Sequence, residues 1–176
     1  MREPRRNQGL RGVVVGVIGA FMVLGLAAMA QAQQVPGNAE LKRVTGRAEI
    51  LRKGQTLWIP AVLGGRLAEG DDIRTFSGAS VEMELPDGST LFLAENTRVL
   101  VTKLEFDPQT KSRLVLFHLA VGKVRALVAQ AAITLVRARQ SNFAVSTPTA
   151  VAAARGTRMW VFTDGRRTMV GNELEP

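Results

Sequence analysis

The chain has 176 residues, the size of one domain or little more. Hydrophobic residues make up 46% of it, too many for a disordered protein, and 23 lysines and arginines against 15 acidic residues give a net charge of +8. The absence of cysteine excludes disulfides, thiolate metal sites and a cysteine nucleophile, and the single histidine excludes a metal site built from several histidines of one chain. A binding or scaffold module remains, as does an enzyme that works through carboxylates or hydroxyls.

The first 32 residues have the layout of an export signal. Four arginines precede an uncharged, apolar run over residues 12–28, and small-x-small sites allow cleavage after Ala30 or Ala32. We therefore expect a signal peptide over residues 1–32, with an uncleaved membrane anchor as the alternative, although 17 apolar residues are at the lower limit for a span. Without residues 1–32 the chain keeps 19 basic and 14 acidic side chains, a net charge of +5. Much of the basic character thus belongs to the signal, and we expect no nucleic-acid partner.

The rest of the chain is patterned as short strands. Residues 33–40 are expected to be a polar linker and residues 41–176 a single β domain. Val81, Met83 and Leu85 alternate with polar residues, and a turn at Asp87-Gly88 follows, which predicts a hairpin over residues 80–94. Residues 113–121 are apolar at successive positions and are expected to be buried on both faces. Further strands are predicted at residues 99–101, 123–126, 143–145 and 159–162.

This spacing predicts an all-β fold, a short-stranded sandwich, a barrel or a β-solenoid. Residues 124–137 are the best helical candidate, because their alanine-rich sequence could form a short helix. No internal repeat of fixed length is present, so the sequence gives no direct evidence for a regular solenoid.

Three acidic or hydroxyl groups allow an enzymatic interpretation, and each has a simpler structural one. Asp71 and Asp72 follow a glycine, and adjacent strand residues point to opposite faces, so we expect them to shape a turn rather than to form an acid pair or a calcium site. Ser89 needs a base, and the only histidine, His118, lies within an apolar strand. We expect no catalytic residues, no metal and no cofactor.

Carbohydrate chemistry is the alternative that the sequence leaves open. Glu82 and Glu84 share one strand face about 7 Å apart, a separation suited to sugar cleavage. Trp58 and Trp160 could stack on a sugar, although both are also suited to filling a core. A groove that collects these side chains would favour this alternative, and their dispersal would count against it.

Several blocks of the chain, taken together in order and spacing, resemble the FecR domain, the periplasmic module of ferric-siderophore signalling regulators. The resemblance covers residues 44–162. Its first blocks are residues 44–52, residues 58–75 with Gly70, Asp71 and Arg74, and the hairpin with Asp87 and Gly88. Its later blocks are residues 119–124 and the closing signature from Thr147-Pro148 to Arg155-Gly156-Thr157. Two alanines precede Arg155 where a valine is more usual in the family.

The resemblance implies a non-enzymatic, exported module of a Gram-negative-type envelope, periplasmic or secreted, in signalling or scaffolding. Its partner would be an envelope protein, such as an outer-membrane receptor or a membrane-anchored regulator, or an anionic polymer. Contact with the membrane would be made only through an uncleaved N-terminal segment. Family members that control sigma factors carry a cytoplasmic segment before a membrane span. Only eleven residues precede the apolar run here, so we expect no control of a sigma factor by this chain.

For Arg155-Gly156-Thr157, a structural role and a role in binding a partner are both consistent with the residue types. Arginine has five donors in a fixed fork, and glycine allows a close approach of the backbone. We expect Arg155 to tie a turn to Asp71, Asp72 or Asp87 through a partly buried ion pair, with partner recognition as the alternative. Pro148 disfavours a helical conformation at the residue before it, so Thr147 is expected to lie at a strand end or bend.

Overall fold

The computed structural model describes residues 35–109, 112–129, 141–154 and 158–172, and this part of the chain is all-β, as predicted. It contains fourteen strands and no helix. The strands are β1 (Val35–Pro36), β2 (Ala39–Thr45), β3 (Ala48–Leu51), β4 (Trp58–Pro60), β5 (Arg66–Leu67), β6 (Asp72–Thr75), β7 (Ser80–Glu84), β8 (Thr90–Leu93), β9 (Arg98–Phe106), β10 (Arg113–Leu127), β11 (Ser141–Ser146), β12 (Val151–Ala154), β13 (Arg158–Thr163) and β14 (Thr168–Asn172).

The strands form one curled sheet with two layers that share β10. The first layer has the order β4-β3-β6-β9-β10-β11-β12, and β1 adds to β9. The second layer has the order β5-β2-β7-β8-β10-β13-β14. Neighbouring strands are antiparallel except for β10 and β11, which run parallel. The inward side chains of both layers belong to one hydrophobic cluster, so the two layers enclose a common core.

β10 passes from the first layer to the second at Gly122. The residues before it pair with β9, and those after it pair with β13 and β8. Gly122 has a φ of +102°, and a Cβ at this position would lie 2.5 Å from the Cα of Thr97. Only glycine combines this conformation with so close a backbone approach. The side chain of Thr97 accepts the N–H of Lys123 at 3.0 Å, which fixes the crossing point.

The core follows from alternation along each strand. In β10, Val115, Phe117 and Leu119 are buried, whereas Leu114 and Leu116 point outward and remain partly exposed. The expectation that residues 113–121 are buried on both faces is therefore wrong. Apolar side chains on the outer face of a strand keep some contact with water when only neighbouring side chains of the same sheet surround them.

The predicted hairpin at residues 80–94 is confirmed as β7 and β8, with Val81 opposite Leu93 and a turn in which Gly88 has a φ of +81°. The segments predicted at residues 113–121 and 123–126 are one strand. Residues 124–127 of the helical candidate are also strand, and residues 130–137 lie outside the described residues.

The ordered sheet begins earlier than the predicted domain start at residue 41. Val35 and Pro36 pair with Phe106 and Glu105 of β9, and Ala39 is fully buried, so the predicted linker over residues 33–40 contributes to the sheet. The predicted signal peptide or anchor over residues 1–32 lies outside the described residues. Within the described ranges there is no helix of the length and hydropathy that a membrane crossing needs.

Candidate functional site

Asp71 lies in the turn before β6 and fixes that turn to the end of β3. Its carboxylate accepts the backbone N–H groups of Lys53 and Ala68, both at 3.0 Å, and pairs with the Arg52 guanidinium at 2.6 Å. Burial by itself raises the pKa of this carboxyl group, but the two amides and Arg52 outweigh burial and lower the pKa of Asp71. A carboxyl group with a lowered pKa keeps its negative charge and lacks the proton that a general acid must donate.

Asp72 is the first residue of β6 and uses a different arginine. Its Oδ2 accepts two hydrogen bonds from Arg98, at 2.9 and 2.8 Å, while its buried Oδ1 has no hydrogen-bond partner. Asp71 and Asp72 thus engage different cations and do not form an acid pair. Within the described ranges, no three acidic or histidine side chains come together as a metal site.

Arg74 belongs to a row of charged and aromatic side chains on the outer face of the first layer. It donates to Glu49 at 2.9 and 2.6 Å, and its guanidinium lies 4.0 Å from the centre of the Trp58 ring. Arg98 lies 5.6 Å from the centre of the same ring. Cations over an aromatic face stabilise it electrostatically and occupy the surface that a sugar would need for stacking. Trp58 is therefore poorly placed to bind carbohydrate.

A buried polar cluster links the β7–β8 turn to the start of β10. Asp87 accepts the N–H of Ser89 at 3.0 Å and its hydroxyl at 2.7 Å, and it also pairs with Arg113. Arg113 is 1% exposed, and its Nε and Nη2 atoms have no hydrogen-bond partner. Sequence reasoning missed this arginine. Its parity with Val115 and Phe117, both buried, is the signal that would have placed it inside.

The hydroxyl and imidazole groups are not arranged as a nucleophile and its base. Ser89 is fully buried, and its hydroxyl donates to Asp87 and accepts the N–H of Ala129 at 3.0 Å. His118 instead contacts the hydroxyl of Ser146 at 3.1 Å, and that hydroxyl donates to a backbone carbonyl of β10 at 3.2 Å. A serine whose proton is held by a carbonyl is not activated by the histidine.

Thr147 closes the turn between β11 and β12 and ties it to β14. Its hydroxyl accepts the N–H of Ala150 at 3.0 Å and lies 2.7 Å from the hydroxyl of Thr168, the first residue of β14. Pro148 is exposed at the tip of this turn. Arg155, Gly156 and Thr157 lie outside the described residues. The three aspartates expected to receive Arg155 each pair with another arginine, namely Arg52 for Asp71, Arg98 for Asp72 and Arg113 for Asp87.

The two candidate carboxylates for sugar chemistry lie on the outer face of the second layer, where each pairs with a cation of β2. Glu82 lies 3.6 Å from Arg43, and Glu84 lies 3.5 Å from Lys42. Trp160 is on the same layer but separated from Glu82 by β8 and β10. Trp58 lies on the other layer, so the side chains that a sugar groove would need are dispersed.

Four of the nine exposed large hydrophobic side chains among the described residues lie within residues 57–63, which we call the apolar segment. It consists of edge strand β4 and its flanking residues, and Leu57, Val62 and Leu63 are 77%, 61% and 71% exposed. Ile59 adds a further 42% exposed side chain. Clustered exposed side chains of this kind mark interaction sites far more often than single ones do.

Comparison with known proteins identifies the family. The model of the FecR protein family matches residues 71–171, more than half of the chain. The chain belongs to the FecR family. No curated protein and no solved structure gives a significant match. Membership of the FecR family implies a role related to envelope signalling, in a family of envelope-associated regulators rather than of enzymes.

The FecR match covers β6 to β14, which includes Asp71, Asp72, Arg74, the Asp87–Gly88 turn and the Thr147–Thr157 signature. Within this set, Asp71, Asp72, Arg74, Asp87 and Thr147 make internal hydrogen bonds, whereas Pro148 is exposed. The apolar segment precedes the match, so this exposed surface is a feature of the present chain that the family model does not cover.

Proposed function

We propose that the chain is an exported, non-enzymatic FecR-family protein that binds a protein partner in the cell envelope and acts in envelope signalling or scaffolding. The observation that carries the proposal is the apolar segment. Its exposed leucine and valine side chains form an interaction surface at the margin of the first layer.

The backbone of the apolar segment favours docking through side chains. The N–H of Ala61 donates to the carbonyl of Ala48 in β3 at 2.9 Å, so the nitrogen of Pro60 faces the open side of β4. A proline there lacks the donor that an added strand would use, and this blunts the edge. The surface therefore suits an apolar groove on a folded partner.

The charged residues beside the apolar segment indicate which side chains a partner should carry at the edge of its groove. Lys53 precedes the segment and is exposed, and none of the described ion pairs includes its ammonium group. Arg66 follows the segment and is also exposed, but it lies opposite Glu40 of β2. We therefore expect a partner whose groove carries acidic side chains at its edge, because opposite charges speed association and fix orientation.

Site-specific photo-cross-linking tests the proposal. A photoreactive residue at position 63 is compared with one at position 151, since Val151 is 69% exposed and lies on β12, away from the apolar segment. We expect a discrete adduct with one envelope protein from position 63 only. The captured protein is then purified and titrated with the parent and with the Leu57→Asp/Leu63→Asp variant. We expect at least about tenfold weaker binding by the variant.

Equal adducts from positions 63 and 151, or equal affinities of parent and variant, would refute docking through the apolar segment. The variant is expected to keep the parent's melting temperature, because both leucines are exposed.

Export is tested separately by mass spectrometry of the protein recovered from the envelope fraction. We expect a chain that begins at Gln31 or Gln33, after cleavage at a small-x-small site. A mature chain that retains Met1 would contradict cleavage of the signal.

A further inference from the structure

Two arginines lie opposite each other on the outer face of the first layer. Arg74 of β6 and Arg98 of β9 are partners in the sheet register, and the next pair in that register, Ile73 and Val99, is fully buried. Because successive side chains of a strand alternate between its faces, both arginines project outward. Like charges at directly opposite positions destabilise a sheet. This pair therefore needs negative charge close to it.

The negative charge that neighbouring side chains supply is one short. Glu49 of β3 accepts Arg74 on Oε2 at 2.6 Å and Arg47 on Oε1 at 2.7 Å, and Asp72 accepts Arg98 at 2.8 Å. We call these five side chains the arginine cluster. In the described ion pairs of the cluster, three guanidinium groups share two carboxylates. The cluster thus carries one positive charge in excess, which is the charge that one further carboxylate would neutralise.

Each arginine of the cluster also retains donors for a further anion. Arg47, Arg74 and Arg98 all contact their carboxylates through Nε and Nη2, and none of the described hydrogen bonds uses their Nη1 atoms. Their side chains are 70%, 36% and 51% exposed, so the outer ends of the guanidinium groups are accessible. A guanidinium group has five donors in a planar fork and can bind a second carboxylate through those that remain.

Aromatic rings hold two of these arginines in position. The guanidinium of Arg74 lies 4.0 Å from the centre of the Trp58 ring and 5.2 Å from that of Phe76, and the guanidinium of Arg98 lies 5.6 Å from the centre of the Trp58 ring. Side chains that are already ordered lose less conformational entropy on binding. Arginine and tryptophan are also the residue types that most often dominate the binding energy of protein interfaces.

We propose that Arg74 and Arg98 bind a carboxylate side chain of the protein partner that docks on the apolar segment, an inference that rests on the proposed function. Trp58 makes the two surfaces continuous, because its ring contacts both arginines and it lies between Leu57 and Ile59 of the apolar segment. An acidic side chain at the edge of the partner's groove reaches the arginines while the groove covers the apolar side chains. The ion pair then fixes the orientation of the partner.

Charge balance favours a protein carboxylate over a phosphate-rich ligand. A carboxylate carries one negative charge, which matches the excess of the arginine cluster, whereas a phosphate group carries close to two at neutral pH. Anionic polymers and lipid surfaces present many negative charges at once, and Glu49 and Asp72 would repel the surplus. The apolar segment gives a second reason, since its leucines gain nothing from contact with a hydrated polymer, whereas an apolar groove would remove them from water.

The first experiment uses acetate as the probe and Trp58 as the reporter. Trp160→Phe leaves Trp58 as the only tryptophan of the full-length chain. At constant ionic strength, we expect acetate to change the fluorescence of Trp58 in a saturable way, with half-saturation at about 10 mM. In the same background, Arg74→Gln should weaken acetate binding by about tenfold.

A second variant and a matched control accompany Arg74→Gln. Arg98→Lys keeps a cation beside Asp72 but loses the planar fork, and it should also weaken acetate binding. The control is Lys103→Gln, which likewise removes one positive charge. It should leave acetate binding unchanged, because Lys103 lies between the carboxylates of Glu69 and Glu105 and away from the arginine cluster.

The second experiment uses the envelope protein captured from position 63. We expect Arg74→Gln to bind it about tenfold more weakly than the parent, and Lys103→Gln to bind it like the parent. An adduct whose protein binds the parent and Arg74→Gln equally would overturn this inference alone, whereas the absence of any adduct would overturn the proposed function.

Three results of the fluorescence titrations would also refute carboxylate binding by the arginine cluster. These are no saturable effect of acetate on the parent, acetate affinities of Arg74→Gln and Arg98→Lys equal to that of the control, and tighter binding of inorganic phosphate than of acetate. A response of Trp58 to phosphatidylglycerol vesicles that is lost in Arg74→Gln would assign the arginine cluster to a lipid surface instead.

Discussion

Removing the charge of Asp87 should destabilise the protein more than its position in a surface turn suggests. Arg113, its ion-pair partner, is 1% exposed, and two of its three guanidinium nitrogens have no hydrogen-bond partner. Asp87→Asn keeps the shape of the side chain but leaves a buried, uncompensated cation. Breaking a buried pair in this way costs about 3–5 kcal/mol. For a domain of this size, this loss corresponds to a fall in Tm of about 10 °C.

Thermal and urea unfolding, followed by fluorescence of the two tryptophans, measures the effect. The matched control is Lys103→Gln, which removes the partly exposed cation between Glu69 and Glu105 and should lower Tm much less than Asp87→Asn does. The Asp87→Asn/Arg113→Met double variant also removes the unpaired buried cation and should be more stable than Asp87→Asn alone. If Asp87→Asn unfolds like the control, or if the double variant is the less stable one, then the buried pair is not what fixes this turn.

Three further predictions concern single positions. Gly122→Ala should destabilise the fold strongly, because its Cβ would clash with the neighbouring backbone, whereas Gly88→Ala, with a positive φ but open space around it, should cost about 1 kcal/mol in urea unfolding. The pKa of Asp71 is lowered in the folded state, so the ionised side chain stabilises the fold above the pKa of the unfolded chain, and this stabilisation is lost as the pH falls through the folded pKa. The free energy of unfolding of Asp71→Asn should therefore fall less steeply below about pH 4 than that of the parent. Gly171→Ala should displace the indole of Trp160 and change its fluorescence spectrum without loss of the β-sheet signal in circular dichroism.

Alternation and turn chemistry were sufficient to predict the all-β class and the β7–β8 hairpin. Both signals are local: Val81 and Met83 alternate with polar residues, and Asp87-Gly88 supplies the turn. The unity of β10 was not predictable in this way, because Gly122 interrupts the pattern where the strand changes layers. A glycine in a strand reads as a break unless the neighbouring strands are known.

The arginine partners of the aspartates could not be assigned from sequence. Arg52 and Asp71 are 19 residues apart, and Arg98 and Asp72 are 26 residues apart, so only the sheet topology brings them together. Arg113 was missed for another reason, since arginine is almost never buried unless it is paired. The tie between Arg155 and an aspartate stays a prediction. The exposure of the apolar segment was equally hidden, because apolar residues in a strand are ordinarily expected to face the core.

The sharing of β10 between both layers also determines the order of events during folding. β9, β8 and β13 all pair with β10, so residues 39–106 can build hairpins but cannot complete either layer until residues 113–127 are available to pair. Closure of the core must wait for pairings between distant parts of the chain, a topology that folds slowly and as one cooperative unit. A chain truncated before β10 would therefore contain no complete layer that could fold by itself, and we expect it to be bound by chaperones or degraded by proteases.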